Sequence, residues 1–398
     1  MKISEINKLG KELELYTTIE YIGKGFPIIL PRGAKVIKTI RNEIEKMEEE
    51  NGYKNVRTPS LSNSEIYKME DRYSVEKENL FIIKDNEQSL NDINTDYTEN
   101  EIVLKPYSQP FHCSIYKLKN HSYKELPIKY CETSTVFRNE RDIKGIMRTR
   151  QITLSDANIF CDITKIKKEL KEILKMQNEF VNKLGLDLTY KISTWDENKK
   201  EEYIGQISEW QDNVQAMKDS LDELNISYDI DNKAKMFGPS ISLYYEDIEF
   251  SVLQIDFEIT HRFELKYTSK ENTELYPIFI HNTIVGSYEN LLNILIDKYE
   301  GNFPTWIAPQ QAVIITDGEE FDDYALKVKN KLEKYLRIQV DNSQNSKQNK
   351  VENNTNLKIP YIITIGKDEL NGETITVNND KKYKIEEFEK EVINWQTK

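Results

Sequence analysis

Two long extended runs constrain this chain most. Residues 127–138 (PIKYCETSTVFR) and 146–161 (IMRTRQITLSDANIFC) both read as strands, and NERDIKG joins them as the turn of a hairpin would. A second pair lies in SLYYEDIEFSVLQIDFEI (242–259), whose alternation is strong enough for two strands of an antiparallel sheet. Helical patterns surround them. Ile37, Ile40, Ile44 and Met47 recur at helical spacing over 34–51 and stop at Gly52; Ile166, Leu170, Ile173, Phe180, Val181 and Leu184 do so over 165–184 and stop at Gly185. Residues 207–224 and the opening MKISEINKLGKELELY are two further helices by the same reading.

The connections are legible too. FPIILPRG (26–33) predicts a short buried strand, YKNVRTP (53–59) an extended segment, and the acidic stretch 85–101 an exposed loop between the arms LFII and IVLKP. IFIH (278–281) leads into IVGSYENLLNILIDKY, a strand-to-helix step with Gly286 at the corner. After FPTWIAPQ (303–310) come a strand AVIIT, a helix FDDYALKVKNKLEKYL, a polar stretch over 341–356, a strand YIITIG and a helix IEEFEKEVINW. The whole is α+β, with one domain over 1–302 and a small α/β domain over 303–398.

In 398 residues no apolar run approaches the roughly 20 needed to cross a bilayer, and the polar start does not read as a signal peptide, so a cytoplasmic protein without a membrane partner is expected. Cys113, Cys131 and Cys161 cannot all pair and none lies in a CxxC, which argues against a disulfide framework and a thiolate zinc site; reduced, buried thiols are expected. A net charge of −13 disfavours non-specific nucleic-acid binding. Against that background, four of the 10 arginines (Arg138, Arg141, Arg148 and Arg150) fall within 13 residues. Arg138 with Arg148 or Arg150, on adjacent antiparallel strands, would grip a triphosphate from one face, and Glu140 would share the face of Arg138 and accept from an amino group. A surface ion-pair lattice of Arg138, Glu140, Arg141 and Asp142 would use the same residues.

The order and spacing of many segments carry a resemblance. KLGKELELYT, FPIILPRGAKV, GYKNVRTP, KENLFI, VLKPYSQPFH, LPIKYCETSTVFRNE, GIMRTRQITLSDANIFC, FGPSISL, QIDFEITHRFELKY, IHNTIVGSYEN and FPTWIAPQQ together resemble the class II aminoacyl-tRNA synthetases, and within them the threonyl family. The resemblance implies an antiparallel catalytic sheet flanked by helices, a homodimer built on the long helix ending near Pro59, and a C-terminal anticodon-binding domain. It implies ATP with magnesium as cofactors and tRNA as acceptor. By position it places Arg138 at the α-phosphate, Glu140 at the adenine amino group, Arg148 at the outer phosphates, Gln254 near ATP or its metal, and Asp156 at the substrate ammonium.

The departures from the family pattern are as specific. Where its third motif has an arginine that stacks on adenine, this chain has Asn290; the adenine-stacking Phe is Ile152, and the lysine and acid after FGP are Ser240 and Ser242. The family's zinc ligands, one Cys and two His, fall on Gln109, Asn158 and His281, so no zinc is expected, and Tyr107, Gln109, Leu154 and Asn158, with Asp156 and His281, form a changed amino-acid pocket. His112, His121 and His261 are read as structural. An N-terminal editing domain is not expected, since the chain opens almost directly on core-like segments. Residues 303–398 carry 14 Lys/Arg against 16 Asp/Glu, with Arg337 the one arginine, which weakens tRNA binding; Tyr361 and Trp395 read as core aromatics. The expected function is a threonyl-tRNA synthetase-like protein with ATP-dependent threonylation lost or reduced. The alternatives are a repurposed ligase adenylating another acid, and a non-catalytic paralogue acting through a protein partner.

Overall fold

The computed structural model describes residues 1–70, 73, 77–83 and 101–396, the last two without their side chains. Most of the expected acidic loop and the Trp395 ring therefore lie outside the described residues. The chain divides into two compact units that do not follow sequence order: Met1–Gly23, Pro27–Ile40 and Leu292–Lys398 form one, and Lys24–Phe26 with Arg41–Leu291 the other.

The larger unit is built on β1 (Lys54–Asn55), β2 (Ile128–Phe137), β3 (Gln151–Cys161), β4 (Thr189–Ser193), β5 (Tyr228–Asp231), β6 (Ser240–Tyr245), β7 (Ile248–Asp256) and β8 (Ile278–Thr283). Among the described residues these make one sheet in the order β5-β4-β6-β7-β8-β3-β2-β1, antiparallel except at its two outer pairs. Register decides what the sheet presents. Asn158 of β3 lies opposite His281 of β8, which lies opposite Gln254 of β7; one step along, Glu132 lies opposite Asp156, which lies opposite Thr283. Because side chains alternate with period two, all six project from one face. Helix Ile166–Lys183 buries Leu170, Ile173, Leu174 and Phe180, and its Gln177 Nε2 donates to Ser251 Oγ (2.8 Å) and Asn282 Oδ1 (2.9 Å), neighbours in sequence of that polar row but on the opposite side.

Three local expectations need correction. The second arm of the hairpin starts at Gln151, not 146, so Arg138, Arg141, Arg148 and Arg150 all sit in the connection beyond the paired strands; the Arg138 amide still bonds the Arg150 carbonyl at 2.8 Å, and the bridge Lys144–Arg148 closes the turn. FPIILPRG is not one strand: Ile28–Ile29 pair with Tyr16–Thr17, and the next helix, Pro31–Glu50, begins on a proline whose missing N–H costs nothing at a first helical position. Gly33 lets that helix lie against the preceding turn, since a Cβ there would stand 2.0 Å from the Leu15 carbonyl oxygen. Its Arg32 donates to the carbonyls of Leu13 (3.0 Å) and Leu357 (2.6 Å), tying the amino-terminal segment to the carboxy-terminal one within the smaller unit.

The smaller unit also holds β9 (Ala312–Thr316), β10 (Ile338–Val340), β11 (Tyr361–Ile365), β12 (Thr374–Val377) and β13 (Lys381–Lys384), in the order β10-β9-β11-β12-β13, with helices Asp322–Leu332, Lys347–Asn356 and Ile385–Gln396. Ala312, Ile314, Val328, Leu332, Ile363, Ile375, Phe388 and Val392 form its core. The polar stretch 341–356 contains the third correction, the helix Lys347–Asn356. Ser346 caps it, Asn354 Nδ2 reaches Asp341 Oδ2 (2.8 Å), and Lys350 Nζ reaches the Asp341 carbonyl (2.9 Å), so hydrogen bonds do the work of an apolar stripe. All three cysteines are free and buried. No described helix is long and apolar enough to cross a membrane.

Candidate active site

The polar face of the sheet floors a cleft of about 370 Å³. Leu154 of β3, Val252 and Gln254 of β7, and His281 and Thr283 of β8 form the floor; Pro106, Tyr107 and Gln109 form one wall, and Arg138, Glu140, Arg148, Lys235, Glu249 and Gly286 stand around the rest. Of the expected site residues, Tyr107, Gln109, Arg138, Glu140, Arg148, Gln254 and His281 thus meet in one cavity. Asp156 and Asn158 project from the same face but are buried beside the cleft, 1% and 0% exposed.

At the outer end the arginines divide their tasks. Arg138 is half-buried, and its Nε donates to the Pro106 carbonyl (3.2 Å), which fixes the guanidinium beside the wall. Arg148 is exposed and places Nε (2.9 Å) and Nη2 (2.7 Å) on Glu140 Oε2. Arg150 faces away: it donates to the carbonyls of Glu140 (3.0 Å) and Lys24 (3.3 Å), and its own amide donates to the Gly25 carbonyl (2.9 Å). Arg141 pairs with Glu78 at 2.9 Å, both exposed. The ion-pair lattice and the cleft therefore share residues, with Glu140–Arg148 belonging to both.

Asn290 does not line the cleft. Its Nδ2 donates to the Glu249 carbonyl (3.1 Å), while the preceding Glu289, buried, accepts from the Thr153 amide and hydroxyl (both 2.9 Å). Burial raises the Glu289 carboxyl, which these two donors partly offset. Ile152, Ser240 and Ser242 are also outside the lining.

Beside the floor, on the same face of the sheet, runs a buried polar chain. Glu132 accepts from the Thr58 amide and hydroxyl (both 2.8 Å) and from Lys105 Nζ (3.3 Å), and stands 3.6 Å from His112 Nε2. His112 Nδ1 meets Asn158 Nδ2 at 2.8 Å; Asn158 Oδ1 meets His281 Nδ1 at 3.1 Å; and Asp156 Oδ1 lies 3.3 Å from both Asn158 Nδ2 and His281 Nδ1. Burial works to raise Asp156, yet the histidines and Ser108 outweigh it and hold the carboxyl at about 2. His121 Nε2 donates to the Tyr116 carbonyl (2.9 Å) and His261 stacks on Tyr276, away from the cleft.

Sequence reading missed Lys235, Glu249, Thr283 and the His112–Glu132–Lys105 group. Lys235 stands in NKAKMFGP, where nothing in charge or periodicity separates it from its neighbours; only the course of the chain into β6 brings it to the cleft. His112 and Glu132 were detectable in principle, as charged or polar residues inside otherwise apolar patterns.

A large, mainly antiparallel sheet of this topology, followed by a small α/β domain, is the architecture of a class II synthetase core with its anticodon-binding domain. Residues 90–299 match the tRNA synthetase class II core domain (G, H, P, S and T), and residues 311–395 match the anticodon binding domain. The chain belongs to the class II aminoacyl-tRNA synthetases and is threonyl-like. A threonine–tRNA ligase of Clostridium botulinum (strain Eklund 17B / Type B) is 34% identical over 98% of this chain and 61% of its own length, and one of Cytophaga hutchinsonii is 33% identical over 93% and 58%. The chain thus spans about three-fifths of these curated relatives. In fold it superposes on the RNA binding domain of threonyl-tRNA synthetase from Cryptosporidium parvum Iowa II with a TM-score of 0.86, at 24% identity, covering 98% of this chain and 97% of that one.

Proposed function

We propose that this chain activates an amino acid with ATP by the threonyl-type reaction, at a rate reduced by a missing cation, and passes it to tRNA as a cytoplasmic homodimer. In this reading residues 1–302 carry the chemistry and 303–398 meet the anticodon. A substrate carboxylate oxygen attacks the α-phosphorus, the bond to pyrophosphate breaks, and a tRNA hydroxyl later displaces AMP from the acyl carbon. Arg138, held by Pro106, orients the α-phosphate for in-line attack. Glu140 fixes the adenine amino group, and Arg148 swings between Glu140 and the outer phosphates. Asp156, charged at neutral pH, draws the substrate ammonium to the floor. Glu249 and the Gln254 amide oxygen are the oxygen donors that would hold magnesium, which neutralises phosphate charge when bound.

The observation that carries the reading is a division within one site: Arg138 and Glu140 line the cleft, whereas Asn290 is turned onto a backbone carbonyl. A neutral amide supplies neither the charge nor the plane of a guanidinium, so the departing pyrophosphate loses stabilisation. Lys235, which lines the cleft, would supply part of it. ATP–pyrophosphate exchange with a panel of amino acids tests this. Threonine-dependent exchange roughly 100-fold or more below that of an unmodified threonyl enzyme is expected; full-rate exchange sinks the impairment, and exchange with a different acid only would favour the repurposed ligase, which the altered floor at Gln109 and Asn158 also supports.

A further inference from the structure

The family's zinc does not fit this floor. Gln109 and Asn158 offer amides where thiolate and imidazole would be needed, both polar atoms of Asn158 are already engaged, and among the described residues no group of three or more His, Cys, Asp or Glu could hold a metal ion. What stands there is a hydrogen-bond chain with a fixed direction. His281 Nδ1 faces two acceptors, Asn158 Oδ1 and Asp156 Oδ1, so this nitrogen carries the hydrogen. Asn158 Nδ2 faces Asp156 Oδ1 and His112 Nδ1, so it donates to both, and His112 must carry its hydrogen on Nε2, toward the Glu132 carboxylate. Each link sets the next, and the end left over is Nε2 of His281, a lone pair on a residue that lines the cleft. In the same cleft lining, Gln109 Oε1 is a buried acceptor atom with no hydrogen-bond partner among the described residues.

We propose that this floor selects an amino acid with a side-chain hydroxyl by metal-free hydrogen bonding, with His281 Nε2 as the discriminating acceptor, Gln109 Oε1 as the second, and Asn158 as the positioning residue that locks the imidazole tautomer. The inference rests on the amino-acid-activation reading above and names its substrate class. A hydroxyl suits the site because it donates without charge. A side-chain ammonium would need another carboxylate at the floor, but Glu140 is paired with Arg148 and Glu249 is exposed on the wall. A methyl in the hydroxyl's place would leave two acceptors buried and unpaired, a larger penalty than a lost attraction alone.

The test is calorimetric binding of L-threonine and of its methyl isostere L-valine to the full chain with a non-hydrolysable ATP analogue, before and after dialysis against a strong chelator. Threonine is expected to bind about 10- to 100-fold tighter than valine, with the ratio unchanged by the chelator. His281→Phe should abolish the ratio while His281→Gln, which retains an acceptor, keeps part of it, each variant being checked for an unaltered melting transition. Equal affinity for the two acids, or a preference that vanishes with chelation, overturns the inference and leaves amino-acid activation standing. Binding of neither acid overturns it as well, and pyrophosphate exchange with the wider panel then decides separately whether activation itself survives.

Discussion

Asn290 concentrates the consequence of one substitution. Its side chain is a short amide committed to the Glu249 carbonyl, so the outer end of the cleft depends on Arg148, which is shared with Glu140, and on Lys235. Asn290→Arg should therefore raise pyrophosphate exchange by roughly 100-fold, the scale on which one preorganised donor acts, while Lys235→Ala should lower whatever exchange the unaltered chain has. If Asn290→Arg leaves the rate unchanged in a variant that melts normally, the missing charge is not what limits the site. The two residues also differ in how they could be read. Asn290 is visible in the sequence because it interrupts a motif at a fixed distance from Gly286, whereas Lys235 is one exposed lysine among many until the fold places it. His281 was legible as a position in the amino-acid pocket, but its hydrogen-bonding role was not, because that depends on a tautomer set by Asn158 and His112, residues far from it in the chain.

The connection between β2 and β3 lies beyond the regular ladder and is held by a few bridging and side-chain contacts, of which Arg150 is the main tie: it grips Glu140 and Lys24 by their carbonyls and lies against Gly25. Gly25 has φ +90°, and a Cβ there would stand 2.9 Å from Arg150 Cγ, so both the conformation and the space require glycine. Arg150→Ala should raise the KM for ATP roughly 10-fold with little change in that for the amino acid, because it loosens Glu140 and Arg148 and leaves the floor intact; steady-state exchange with each substrate varied shows whether the effect is confined to the nucleotide. On the other side of the hairpin, the helix Pro31–Glu50 sets Glu48 against Ser155, and burial lifts its carboxyl to about 8. A carboxyl raised in the folded state binds a proton that the unfolded chain releases, so its contribution is fully present below the ordinary carboxylate range and is lost as pH rises toward 8. Glu48→Gln should accordingly raise the melting temperature at pH 8 and give little gain at pH 4; a gain independent of pH would show that Glu48 is ionised in the native protein. Strands β2, β3, β6 and β7 were readable because alternation and length agreed. The helix Lys347–Asn356 was not, having no apolar stripe to read, nor was the hairpin β12–β13, whose turn rests on Asn378 and Asn379 at φ 52° and 57° inside a run rich in charge.

For the molecule as a whole, charge bears directly on the acceptor. Residues 303–398 match an anticodon binding domain, yet they carry 14 cations against 16 acids. Many of those cations are already engaged within the domain: Lys329 with Glu333, Lys331 with Glu386, Lys334 with Glu389 at 3.2 Å, Lys347 with Asp317 at 2.5 Å and Lys382 with Glu369 at 3.7 Å. Arg337, the arginine of this segment, donates to the carbonyls of Trp306 and Ala308 and is thereby turned inward, with burial lowering its pKa. A cation that already has a carboxylate neighbour displaces few counterions when a phosphate arrives, and affinity for a nucleic acid falls with salt in proportion to the counterions released. The dependence of tRNA affinity on salt should then be shallow, with a log–log slope of about −2 to −3, equivalent to roughly three or four phosphate contacts at the single-strand value per contact. Filter binding of unmodified tRNA transcripts across a salt series measures it. A slope steeper than about −5 would mean that the paired lysines open to meet the backbone, and a substitution such as Glu386→Gln, which releases Lys331, should steepen a shallow slope but leave a steep one where it was.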